Sequence, residues 1–281
     1  MPSAPQPRRR VLGGLLATGT AATLGGLSAA PAAAHGRTGG SDGAAKPTVV
    51  LVHGVFADAS GWNAVTERLL DAGYPVLAAA DPLRDLAGDA AYLSSIVATL
   101  TGPVILVGHS YGGEVITNAG LGHDNVKALV YVAAFAPDEG ESALALADKF
   151  PGSQLGGALV GRHYPLPDGT EGLDGYIDPA RFHDVFAQDL PRSVTRVMAV
   201  SQRPGSVQGL GGPSGAPAWR TLPSWYVVAG EDRVIPPAVQ RFMAARAGST
   251  TVEAKGASHV VMMSRPDTVV RQIVAADRGT R

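Results

Sequence analysis

The chain has 281 residues, 45% hydrophobic and 17% charged, with a formal net charge of −1 and no cysteine. That apolar share supports a sizeable core and excludes disorder over the whole chain, and the near-neutral charge argues against a nucleic-acid partner, which needs a basic face. Disulfides, thiolate nucleophiles and Cys-ligated metals are ruled out, while 36 glycines and 21 prolines call for many tight turns.

In chain order the first feature is an address. Arg8-Arg9-Arg10 precede a charge-free run from Val11 to Ala34, rich in Gly, Ala and Thr and ending in Ala32-Ala33-Ala34. Paired arginines before a weakly apolar segment and a small-residue cleavage site are the pattern of a twin-arginine export signal. Residues 1–34 are therefore expected to be cleaved near Ala34, leaving a secreted protein. The run is long enough to span a bilayer, but its Gly/Ala composition partitions poorly into lipid, so no stable membrane anchor is expected. Residues 35–46 are small, polar and Gly-rich and read as a flexible leader. Residues 47–281 read as the folded domain.

From Pro47 onward, strand and helix patterns alternate. Thr48 to Val52 is a continuous β-branched run, the pattern of a parallel strand buried on both faces. Trp62, Val65, Leu69 and Ala72 carry helical spacing, and Gly73 closes that helix. A second strand is predicted over Tyr74–Ala79, a helix over Leu86–Leu100, a third strand over Val104–Val107, a helix over Glu114–Leu121 and a fourth strand over Val126–Ala133. The pattern resumes with a strand at Trp225–Val228, a helix at Pro237–Ala247, a strand at Thr250–Ala254 and a closing helix at Pro266–Ala276. Six strands separated by helices imply an α/β fold, a mostly parallel twisted sheet with helices on both faces. Between the fourth and fifth strands, about 136–222, the sequence is Gly/Pro-rich, yet Phe182, Val185, Phe186 and Leu190 mark one amphipathic helix. A structureless loop of that length does not suit a compact domain, so this segment is expected to be an inserted lid.

Gly108-His109-Ser110-Tyr111-Gly112-Gly113 contains G-x-S-x-G after a buried strand and before a helix, the setting in which that motif exposes a nucleophilic serine. Serine needs an adjacent base. Of the seven histidines, His259 follows the last strand in Gly256-Ala257-Ser258-His259 and so shares a sheet edge with Ser110. His109 adjoins the serine, but its side chain should point elsewhere. The third member should be a carboxylate at another strand end, orienting the imidazole. Asp232 in Gly230-Glu231-Asp232 is the candidate; Glu231 is its neighbour and Asp138 the fallback. An acyl-transfer oxyanion needs fixed donors. Tyr111 N–H, at a helix start, is one; the second should come from His53-Gly54-Val55-Phe56, with Val55 preferred and Phe56 as the alternative. Phe56, Tyr111, Phe135 and the lid are candidate pocket walls.

Leu51-Val52-His53-Gly54, the Ser110 motif, Gly230-Glu231-Asp232 and Gly256-Ala257-Ser258-His259 together resemble the α/β-hydrolase superfamily, in its chain order Ser, Asp, His, over about Pro47 to Ala276. Within it, Val52 to Asp58 and His259 to Met262 are similar to the small-ester esterase branch, which includes plant methylesterases and hydroxynitrile lyases. The double glycine that precedes the oxyanion donor in many lipases is absent, which speaks against bulky alcohol esters. The resemblance implies a serine carboxylesterase acting on small or medium esters, with a small-molecule ester as its partner and no cofactor. No metal motif is present. Three other readings share these residues. A cofactor-free perhydrolase or haloperoxidase uses the same triad, and a hydroxynitrile lyase would add a lysine near the pocket, for which only Lys149 is placed. A non-catalytic ligand-binding protein on the same fold would usually have lost a triad member.

Overall fold

The structure is a computed structural model and describes residues 45–281. The expected export signal and all but the last two residues of the expected leader lie outside the described residues. Among the described residues no helix is long and apolar enough to cross a membrane.

The domain opens with β1 (Thr48–Val52), α1 (Asn63–Asp71), β2 (Val76–Ala79), α2 (Leu86–Val97), β3 (Val104–His109), α3 (Tyr111–Ala119) and β4 (Val126–Val132). The local causes are visible. Asp85 caps α2 by accepting Gly88 N–H at 2.7 Å, and Leu86, Ala90, Leu93 and Val97 form its buried stripe. Gly73, with φ +74°, ends α1 as its position requires. An insertion follows, with α4 (Ala143–Ala147), the hairpin β5 (Leu159–Pro165) and β6 (Glu171–Ile177), α5 (Pro179–Phe186), α6 (Arg192–Met198), the short β7 (Gly205–Ser206) and α7 (Val207–Gly211). The chain then returns with β8 (Ser224–Ala229), α8 (Pro237–Arg246), β9 (Thr250–Ala254), α9 (Val261–Ser264) and α10 (Pro266–Gly279).

The main sheet has the order β2-β1-β3-β4-β8-β9 and every adjacent pair is parallel. Its six strands are those the hydrophobic runs predict. The central ones are sealed: all six residues of β3 and of β8 are buried, as a sheet covered on both faces demands. Burial of these Val, Ile and Leu side chains, each contributing about 1.5–3 kcal/mol, is the main force holding the layers together. From β1 the chain steps outward to β2 and then crosses back to β3 on the other side, so strand order reverses between β1 and β3. Crevices at such reversals, beyond the carboxyl ends of the strands, are where open α/β sheets place ligands.

Several segments differ from the sequence expectation: β2 starts at Val76, α2 ends at Val97, and the short α9 precedes the closing helix. Helix α3 starts at Tyr111 rather than Glu114, because Gly112 packs directly against β1; a Cβ there would lie 2.5 Å from Val52 O. The insertion contains the expected helix, with Phe182, Val185 and Phe186 buried, but also an antiparallel sheet of β5, β6 and β7 that the sequence did not announce. Strand β5 is mostly exposed and carries no clean apolar alternation.

Candidate active site

Ser110 sits at the junction of β3 and α3 with φ 54° and ψ −124°, a backbone conformation that costs a non-glycine residue about 1–3 kcal/mol. The tight packing around it over-determines that geometry. A Cβ on Gly54 would lie 2.6 Å from Ser110 Cβ and 2.9 Å from His109 O, so the loop after β1 reaches the serine only as glycine. Phe135 N–H donates to Ser110 O at 3.0 Å, tying the serine to the end of β4. Ser110 is 2% exposed and His259 fully buried.

His259 lies after β9, and its Nδ1 donates to Asp232 Oδ2 at 2.7 Å. Asp232, in the turn after β8, also accepts Val234 N–H at 2.7 Å and Ile235 N–H at 3.0 Å on Oδ1, and Gln240 Nε2–H at 2.8 Å on Oδ2. A carboxylate with four donors is acceptor-only, so the proton of a neutral His259 is on Nδ1 and its Nε2 lone pair is free. That Nε2 is buried with no hydrogen-bond partner among the described residues. Ser110 Oγ therefore makes no hydrogen bond to it here, a looseness common in unliganded catalytic sites. The imidazole and the carboxylate are in contact, and Ser110 stands on the same rim of the sheet.

The side chain of His109 points away from Ser110 but not away from the site. Its Nε2 donates to His259 O at 2.9 Å and its ring centroid lies 4.7 Å from that of His259. Burial, and behind it the neighbouring His259 imidazole, holds His109 well below the usual histidine range, so it is a neutral wall behind His259. Phe186 from α5 meets the His259 ring edge-on at 5.1 Å, closing the other side. His53, after β1, is likewise held neutral by burial; its Nδ1 donates to Gly54 O at 2.9 Å and its Nε2 accepts Asp81 N–H at 3.1 Å.

The two loop candidates for an anion donor separate cleanly. Phe56 N–H is used by Arg203 O of the insertion at 2.8 Å, and Phe56 has φ 65°. Val55 N–H and Tyr111 N–H donate to no protein group among the described residues, and Tyr111 opens α3, where the helix dipole favours negative charge. The Tyr111 side chain is directed elsewhere: its hydroxyl donates to Asp89 at 2.9 Å, and burial pushes its pKa far up.

Of the expected walls, Phe56 lines a cavity with Ala57, Met198, Val260, Met262 and Met263; Tyr111 and Phe135 do not line it. Asp138 is drawn off by Arg220 at 2.5 Å, and Glu231 contributes its backbone, its carbonyl accepting Gln188 Nε2–H at 2.7 Å and its N–H donating to Ala257 O at 3.0 Å. Lys149 rests over the Phe242 ring at 4.8 Å rather than beside Ser110. Among the described residues no group of three or more His, Asp or Glu could hold a metal ion. Sequence reasoning missed Gln240 and Asp189, whose Oδ2 accepts Ser258 N–H at 3.0 Å. Neither carries a motif; both matter only because distant loops meet them.

Set against known proteins, residues 49–272 match the model of the alpha/beta hydrolase family. The alpha/beta hydrolase nvfD of Aspergillus novofumigatus is 26% identical over 252 residues, 81% of this chain and 95% of its own length. A carbendazim hydrolyzing esterase from Nocardioides sp. is 34% identical over 128 residues, 40% of this chain and 52% of its own. The crystal structure of polyneuridine aldehyde esterase superimposes with a TM-score of 0.71 at 22% identity, covering 82% of this chain and 98% of that one.

Proposed function

The chain belongs to the alpha/beta hydrolase family, and from that premise we propose that it is a carboxylic-ester hydrolase working through an acyl-serine intermediate on Ser110. One observation carries the reading: a buried Asp232–His259 pair at 2.7 Å, its Nε2 lone pair unspent, on the sheet rim that also bears a strained serine. His259 Nε2 takes the Ser110 proton as Oγ attacks the ester carbonyl. Val55 N–H and Tyr111 N–H receive the oxyanion, where fixed donors in a site shut from water are worth most. Asp232 stabilises the imidazolium without taking its proton. The imidazolium then protonates the leaving alcohol, and the same base activates the water that releases the acid.

Small or medium esters are the substrate class proposed, and the surroundings of Phe56 and Val260 support it. The cavity beside Phe56 and Val260 is lined by three methionines, whose flexible thioethers adapt to irregular apolar groups. Asp58, Ser60 and Ser201 share that lining, and Ser110 and His259 lie outside it, so the cavity would receive the apolar portion of a small or medium ester rather than its reacting carbonyl. Export and cleavage near Ala34 complete the proposal, supported by the arginine pair and the small residues before His35.

A fluorophosphonate probe is the direct test. It should label the wild-type protein and not Ser110→Ala, and labelling that survives the substitution would overturn the mechanism. A panel of esters of increasing chain length then locates the optimum. Amino-terminal sequencing of protein from culture medium checks the export signal, and an intact Met1 terminus there would refute it.

A further inference from the structure

We infer that Gln240 is a positioning residue for Asp232, a role that rests on the reading of Ser110, His259 and Asp232 above. Gln240 is fully buried in the first turns of α8. Ala229 N–H, at the end of β8, donates to its Oε1 at 2.9 Å, and this fixes the amide the right way round. Its Nε2 then donates to Asp232 Oδ2 at 2.8 Å and to Ile235 O at 2.7 Å. Every polar atom of the side chain is thus committed, and its partners lie on both sides of the turn that carries Asp232.

The oxygen that Gln240 contacts is the one that accepts His259 Nδ1–H. Gln240 is the only side chain besides His259 that donates to this carboxylate among the described residues. It does two things there. It holds the carboxylate plane so that Oδ2 faces the imidazole. It also occupies lone-pair density on Oδ2 with a donor that cannot ionise, so Oδ2 meets the imidazole as an acceptor for Nδ1–H. The titratable groups facing the pair from neighbouring elements are His109 from β3, packed on the His259 ring, Tyr226 from β8, whose hydroxyl is turned to Ala134 O, and Asp189 from the insertion, held by Ser258 N–H. None of them hydrogen-bonds to Asp232, so none replaces Gln240.

The test compares Gln240→Met and Gln240→Glu with the wild type on a soluble short-chain ester across pH. Methionine matches the length of glutamine but donates nothing. In a folded Gln240→Met protein, kcat should fall about 10- to 100-fold, the equivalent of one hydrogen bond to a charged group, with KM within about twofold. The acid limb of kcat/KM should move to higher pH, because a more basic Asp232 strengthens proton binding at His259. A folded Gln240→Met enzyme with wild-type kcat and an unmoved limb overturns the inference. Gln240→Glu keeps the acceptor for Ala229 N–H and sets a second carboxyl beside Oδ2, so it remains readable if methionine prevents folding. Its activity should be confined between the acid limb, where His259 takes up a proton, and the pH at which the proton shared by the two carboxyls is lost, so the profile narrows from the alkaline side. A wild-type profile for Gln240→Glu also overturns the inference. Ser110→Ala separates the two levels: residual turnover there means the site itself is misread, whereas loss there with normal Gln240 variants defeats only the role of Gln240.

Discussion

Two substitutions discriminate among the acidic residues of the site. Asp232→Asn should lower turnover by about four orders of magnitude while the protein stays folded, since an amide in place of the carboxylate favours the wrong imidazole tautomer. Asp138→Asn should leave turnover within about twofold, because that carboxylate serves Arg220; steady-state kinetics on both variants decide the assignment. Gly54→Ala should cut activity at least as severely as a lost oxyanion donor, about 100-fold, by pushing Ser110 or the Val55 donor out of place; comparing its kcat and unfolding midpoint with the wild type separates misplacement from misfolding. Ser110 was legible because its motif is local. The choice between Val55 and Phe56 was not, since it depends on which N–H the carbonyl of Arg203 claims, far along the chain. Gln240 was invisible for the same reason: a polar residue on a helix has no sequence mark until its partners are in view.

The six strands of the main sheet could be read because each is an apolar run bounded by turn residues, and parallel central strands have no solvent face to blur the pattern. The hairpin β5–β6 sits on the surface of the insertion, where neither face demands strict alternation, and so it escaped notice. Helix α5 is the element of the insertion whose side chain packs on the His259 ring. Phe186 is fully buried between Phe56 at 6.1 Å, Phe182 at 4.9 Å and the His259 ring. Phe186→Ala should destabilise the protein by about 3–5 kcal/mol, measurable by urea unfolding. It should also lower kcat, because the imidazole loses a wall that holds its ring.

Buried ionisable groups set how the whole molecule responds to pH. Burial pushes the carboxyls of Asp81 and Glu114 well above the usual range, and the nearby Asp89 carboxylate adds to the rise at Asp81. Unfolded, such groups ionise above about pH 4, so the unfolded state binds fewer protons and stability declines as pH rises. His53 and His109 act in the opposite sense: they are neutral when folded and gain a proton when unfolded below about pH 6.5, so stability declines as pH falls through that range. The melting temperature should therefore fall off in both directions. Glu114→Gln, which preserves shape and removes the ionisation, should raise it more at pH 8 than at pH 5, and an equal shift at both would contradict the assignment.

The insertion holds three loops of the rim, those after β1, β8 and β9, by backbone or side-chain bonds: Arg203 O takes Phe56 N–H, Gln188 Nε2 donates to Glu231 O, and Asp189 accepts Ser258 N–H. A segment free to vary for the sake of selectivity would not be fastened to the machinery it screens. In a chimera carrying a foreign insertion, the speed of bond breaking and the choice of ester would change together, and retuning one would mean rebuilding the struts that support the other.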